Sequence, residues 1–278
     1  MTIAFTRRQA LATLAVGATA LSGRARAAED VLAHVKSSGE LRVGTETFFA
    51  PFDFMDAGEH KGLNVDLFAE IAKEMGVKLT WVDLPWDSVL PGLEAGKFDM
   101  VAGPATITKA RMARYRFSVP IADATVALLK NAREKDLTKP EDISGKVVGS
   151  GKATAQLAQL RDYAAKLPKP PTIREFVDFN TAYADLAAGR IVAVANSLPN
   201  IAYVAKQRPD VFAVVQPPFG LKSYFGYIGR KDPQYASLMD TVDGLILKMK
   251  KDGRLEAMQK KWFGVVFDTP DQVPTPNV

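Results

Sequence analysis

The ten residues Ala102-Gly103-Pro104-Ala105-Thr106-Ile107-Thr108-Lys109-Ala110-Arg111 bring hydroxyls, a guanidinium and a helix start into one short stretch. Thr108 stands where a helix N-cap is wanted, its side-chain oxygen able to accept from a free backbone N–H. Arg111 then falls in the first turn, where the helix macrodipole is positive and a cation is disfavoured. An anion held by the free N–H groups, Thr106 and Arg111 together resolves that conflict. A solvated Arg, or one paired with a nearby carboxylate, is the plainer alternative. Other chemistry has less footing. With only His34 and His60 and no cysteine, the chain has no donor set for zinc, and neither a metal nor a cofactor is expected. Gly149-Ser150-Gly151 lacks the G-x-S-x-G spacing of a nucleophile elbow. Gly151-Lys152-Ala153 lacks the upstream Gly and the Ser/Thr of a phosphate-binding loop.

The elements that must position these residues alternate. Leu41 to Gly44 reads as a strand, and Val65 to Met75 as a helix with Val65, Phe68, Ile71, Ala72 and Met75 on one face, stopped by Gly76. Lys78 to Val82 (strand), Asp87 to Glu94 (helix), Phe98 to Ala102 (strand) and Lys109 to Tyr115 (helix) continue the rhythm. After a charged, Pro-containing break at 131–141 it restarts. Strands are expected at 147–148, 172–176, 191–195 and 224–228, and helices at 155–166, 181–188, 199–207, 233–251 and 255–263. Such βαβα order implies parallel sheets with helices on both faces, in two α/β lobes. Ligand sites then belong at the carboxyl ends of the strands.

The first 27 residues are a different kind of segment. Arg7-Arg8 precede an apolar, small-residue stretch from Ala10 to Leu21 and then Ala25-Arg26-Ala27, an A-x-A cleavage pattern. This reads as an export signal cut after Ala27, with the Arg pair raising the twin-arginine route. The full chain carries a net charge of +5, but four of its Arg lie in this leader, which leaves 32 basic against 31 acidic residues. The basic balance thus belongs to the leader, and no nucleic-acid partner is implied. No apolar run reaches the roughly 18 residues of a membrane span. Absence of cysteine excludes disulfides and a lipid-modified N-terminal Cys, which fits a protein free in the periplasm.

Several motifs together resemble a known family. Gly44-Thr45-Glu46, Phe49-Ala50-Pro51-Phe52 and Gly62-Leu63-Asn64-Val65-Asp66-Leu67 resemble the N-terminal signature of family 3 extracellular solute-binding proteins, the receptors of polar amino-acid ABC importers. Trp86 to Leu93, Thr106 to Arg111, Ala188-Gly189-Arg190-Ile191, Ser197-Leu198-Pro199-Asn200 and Lys260-Lys261-Trp262-Phe263-Gly264 continue it in order. The resemblance implies a flytrap of two doubly wound lobes joined by two hinge strands, with lobe 1 formed by 28–121 plus 220–278 and lobe 2 by 122–219. It implies crossovers near 120–126 and 215–221, and hinge closure over a ligand. By the same resemblance Arg111 and Thr106 hold the ligand carboxylate, Phe49 and Trp86 flank its side chain, Glu46 lies near its distal group, and Pro104 offers a carbonyl. Thr154 keeps one position of the second-lobe turn, in which Lys152 and Ala153 are unusual. Where the family places an Asp for the ligand ammonium this chain has Ser197, preceded by Asn196. The expected function is a monomeric periplasmic receptor that delivers a small carboxylate-bearing solute, an amino acid or close analogue, to an inner-membrane ABC permease, without catalysis. The alternative is a dehydratase-like enzyme on the same fold acting on a cyclic carboxylate, with Glu46 as its acid.

Overall fold

The computed structural model describes residues 30–278, so the export-signal reading of 1–27 lies outside the described residues. In chain order, α1 (Val31–Ser38), β1 (Glu40–Thr45), β2 (Phe48–Phe49), β3 (Asp53–Asp56), β4 (Glu59–Lys61) and α2 (Leu63–Met75) come first. Next are β5 (Lys78–Asp83), α3 (Trp86–Glu94), β6 (Met100–Thr106), α4 (Lys109–Arg114), β7 (Tyr115–Phe117) and β8 (Ala122–Asp123). Then follow β9 (Val126–Asn131), β10 (Val147–Gly151), α5 (Ala155–Ala164), β11 (Thr172–Phe176), α6 (Phe179–Ala187), β12 (Ala193–Ser197), α7 (Leu198–Gln207) and β13 (Phe212–Val215). The last elements are β14 (Tyr224–Arg230), α8 (Ala236–Lys251) and α9 (Arg254–Phe263).

Two main sheets divide these strands. The first runs β5-β1-β6-β14-β7, with β8 also on β14; the second runs β11-β10-β12-β9-β13. Strands β5, β1 and β6 are mutually parallel, as are β11, β10 and β12, because each pair is linked through a helix. The chain passes from the first sheet to the second at Ala124–Thr125, and returns between Val215 and Tyr224, so β14 inserts antiparallel beside β6. The architecture is the expected two doubly wound α/β lobes, with antiparallel strands added at the points of passage.

Local sequence explains the framework. Helix α2 buries Leu63, Asn64, Leu67, Phe68, Ile71, Ala72 and Met75 and stops at Gly76, which takes φ 67°. Burying each of its large apolar side chains is worth about 1.5–3 kcal/mol, enough to seat the helix on the first sheet. Gly44 in β1 is dictated by contact: a Cβ there would overlap the ring of Phe98. Strand β6 is buried along its whole length and runs on to Thr106, beyond the expected end at Ala102. The chain therefore stays extended through Gly103-Pro104-Ala105 and carries these residues to the carboxyl end of the sheet.

Candidate functional site

The carboxyl ends of the parallel strands of both lobes face each other across a cleft. Beyond β1 come Glu46 and Phe49; in the last residues of β6, Gly103 to Thr106, and beyond it Arg111; at the start of α3, Trp86. Opposite them, Thr154 caps α5 by accepting from Leu157 N–H at 3.1 Å, and Asp178 caps α6 by accepting from Thr181 N–H at 2.8 Å. These caps fix where Gln156 and Phe179 enter the cleft. The result is a pocket lined by Glu46, Phe49, Trp86, Pro104, Thr106, Arg111, Thr154 and, from the same walls, Gly103, Gln156, Phe179 and Phe225.

Its walls are largely aromatic. Phe49 lies 5.8 Å from Phe179 across the cleft and 5.8 Å from Phe225 edge-on, so the two lobes touch through rings. The Arg111 guanidinium stands 5.4 Å over the Trp86 ring, and its Nη1 donates to the Thr106 carbonyl at 3.1 Å. Among the described residues no carboxylate pairs with it. Surrounding protein removes water from the guanidinium and brings it down from its ordinary value to about 10, so it remains charged at neutral pH. Thr108 does cap α4, accepting from Arg111 N–H at 3.2 Å. With six residues, however, α4 places Arg111 in its last turn as well as near its start, and the macrodipole conflict expected from sequence is slight. What recommends an anion here is the unpaired guanidinium itself.

Glu46 is the second charged-type group in the cavity and is only 6% exposed. Desolvation first, then the negative fields of Asp178, Asp83, Asp53 and Asp87, push its carboxyl up to about 8. At neutral pH it holds its proton and can donate a hydrogen bond. The buried Asp53 behind it is satisfied by Thr45 Oγ1 at 2.7 Å, by Asn64 Nδ2 at 2.7 Å and by His60.

The structure does not bring every expected residue to this cavity. Asn196 and Ser197 are fully buried at the end of β12 but face inward. The Asn196 amide donates to Tyr183 Oη at 2.8 Å and its oxygen accepts from Ser197 N–H at 2.7 Å, while the Ser197 hydroxyl donates to Asn200 Oδ1. This network consumes the groups that sequence had offered to a ligand. Lys152, unusual in the second-lobe turn, pairs with Asp87 at 3.0 Å. Sequence reading missed Gln156, Phe179 and Phe225. The first two had a signal, since each follows a helix cap at the end of a parallel strand; Phe225 had none, being an apolar residue inside a strand.

Two α/β lobes, two passages between them and an aromatic pocket with an Arg that pairs with no carboxylate among the described residues define a solute-binding cleft. The profile of the bacterial extracellular solute-binding proteins, family 3, matches residues 41–265, and the chain belongs to that family. The L-cystine-binding protein TcyJ of Escherichia coli (strain K12) is 33% identical over 268 residues, spanning 95% of this chain and 98% of its own. The lysine/arginine/ornithine-binding periplasmic protein of the same strain is 29% identical over 230 residues, 80% of this chain and 87% of its own. Among solved structures, an ancestral arginine-binding protein bound to arginine superposes with TM-score 0.75 at 32% identity, covering 81% of this chain and 99% of its own. An ancestral amino acid-binding protein, a precursor of cyclohexadienyl dehydratase, gives TM-score 0.76 at 32% identity, covering 84% and 99%.

Proposed function

We propose that the protein acts as a monomeric receptor for an amino acid or close analogue in the periplasm, exported through its N-terminal signal by the twin-arginine route, and delivers the ligand to an ABC permease. The observation that carries this reading is the unpaired Arg111 in an aromatic cavity: its planar fork suits a carboxylate, with Thr106 beside it. The ligand ammonium, deprived of an Asp at 197, goes to Glu46, whose proton leaves as the cation arrives. Phe49, Phe179, Trp86 and Phe225 enclose the remainder. Cystine and the basic amino acids, named for the relatives above, supply the first ligands to test.

A thermal-shift screen of amino, keto and hydroxy acids on the chain from residue 28 tests this reading. A ligand at about 100 times its Kd adds about 2.7 kcal/mol of stability. Arg111→Ala is expected to abolish each hit; a variant that still binds refutes the carboxylate assignment. One observation favours a second reading, an enzyme acting on a cyclic carboxylate: a buried, protonated Glu46 is also a proton donor. Incubating each hit with the protein and following its mass separates receptor from enzyme.

A further inference from the structure

Lys152 has no part in the ligand contacts above, yet its backbone is held in an unusual way. The residue after it, Ala153, takes φ 58°, a left-handed conformation that costs a residue with a Cβ about 1–2 kcal/mol. The turn is kept there by Lys152 N–H donating to Phe176 O at 2.8 Å and Thr154 Oγ1 donating to Gly151 O at 2.7 Å. Such an outlier asks what it positions. It carries the Lys152 ammonium out of the second lobe to Asp87 Oδ2 of the first, at 3.0 Å. Asp87 adjoins Trp86, and Ala153 lines one surface cleft with Trp86, Asp87 and Arg111, so this ion pair crosses the cavity's rim directly. A second contact between the lobes is Asn200 Nδ2 donating to Ala50 O at 2.8 Å.

We propose that Lys152 and Asp87 form a clasp across the cleft, acting as positioning residues that favour the closed arrangement of the lobes and slow ligand escape. The proposal rests on the ligand-binding reading for its biological use. Its groups are partly solvated, with side chains 55% and 29% exposed, so its contribution is modest and sensitive to salt. It gives a reason for a Lys in this turn that does not require an acidic ligand.

The absence of cysteine makes the test clean. Met55→Cys in the first lobe and Val177→Cys in the second, at positions 50% and 61% exposed, take spin labels for double electron–electron resonance on the ligand-free chain. At low salt, Lys152→Glu should reduce the closed, short-distance population about two- to fivefold. Exchanging the charges with Lys152→Glu and Asp87→Lys together should restore it, and high salt should erase the difference. Lys152→Gln serves if the reversal misfolds, with a smaller loss expected. Indistinguishable distance distributions for all variants, whether closed or open, overturn the clasp; so does a loss that charge exchange fails to restore. Because no ligand is present, a wrong ligand assignment leaves this result untouched.

Discussion

Replacing Glu46 with Gln should stabilise the empty protein, and the gain should grow with pH. Glu46 keeps its proton to about pH 8 when folded, whereas its ordinary value is 4.5. Between these values the unfolded chain has released the proton and the folded chain has not, so stability falls as pH rises through the interval. At about 1.36 kcal/mol per pH unit the full interval is worth about 5 kcal/mol. Opening of the cleft rehydrates the carboxyl, which reduces the expected gain from Glu46→Gln to about 1–3 kcal/mol at pH 9. Near pH 5 the unfolded carboxyl is already about three-quarters ionised but the penalty has only begun to accumulate, so the substitution should change stability by about 1 kcal/mol or less. Urea unfolding of both proteins across this range, read as midpoint and slope, measures the difference directly. A gain that is constant with pH, or larger at pH 5, refutes the assignment of a buried, protonated Glu46.

Gln156→Leu separates site from scaffold. The amide makes no hydrogen bond within the described residues and the side chain is 4% exposed, so stability should hold while affinity drops about two- to tenfold by calorimetry. Gly44→Ala should cost about 1–3 kcal/mol, measured by denaturant unfolding, because the added methyl overlaps Phe98; a Phe98→Leu partner should return part of it. Asp53→Asn leaves one amide oxygen to serve three donors and puts N–H groups where a carboxylate oxygen stood. A loss of about 1–3 kcal/mol in the same assay is expected.

How far the residues alone led can be read from particular elements. Helix α2 was legible because its apolar spacing and terminal Gly76 both obey helical geometry, and burial only shifted its inner face from Val65 to Leu67. Thr108 was legible as a cap because capping is local chemistry. Strands β9 and β13 were not expected, and β14 was expected as a strand but without its partners. The first two are short apolar runs without alternation, and the antiparallel pairing of all three depends on where the chain crosses between lobes. Within the site, Glu46, Phe49, Trp86, Pro104, Thr106, Arg111 and Thr154 sit at strand ends or helix starts and come together in one pocket. Asn196 and Ser197 also follow a strand end, yet Tyr183 and Asn200 claim their polar groups. Tertiary competition of that kind has no local signature.

Strand β14 has a consequence for how the protein is made. Its neighbours β6 and β7 are synthesised long before it, Tyr224 following Thr106 by 118 positions. At about 5–20 residues per second the ribosome takes roughly 6–24 s to cover that distance. The second sheet, encoded without interruption between Val126 and Val215, can assemble during this interval. The first must wait with the apolar edge of β6 unpaired, a template for wrong partners. Nascent chains of this protein should therefore depend on a holding factor until β14 emerges.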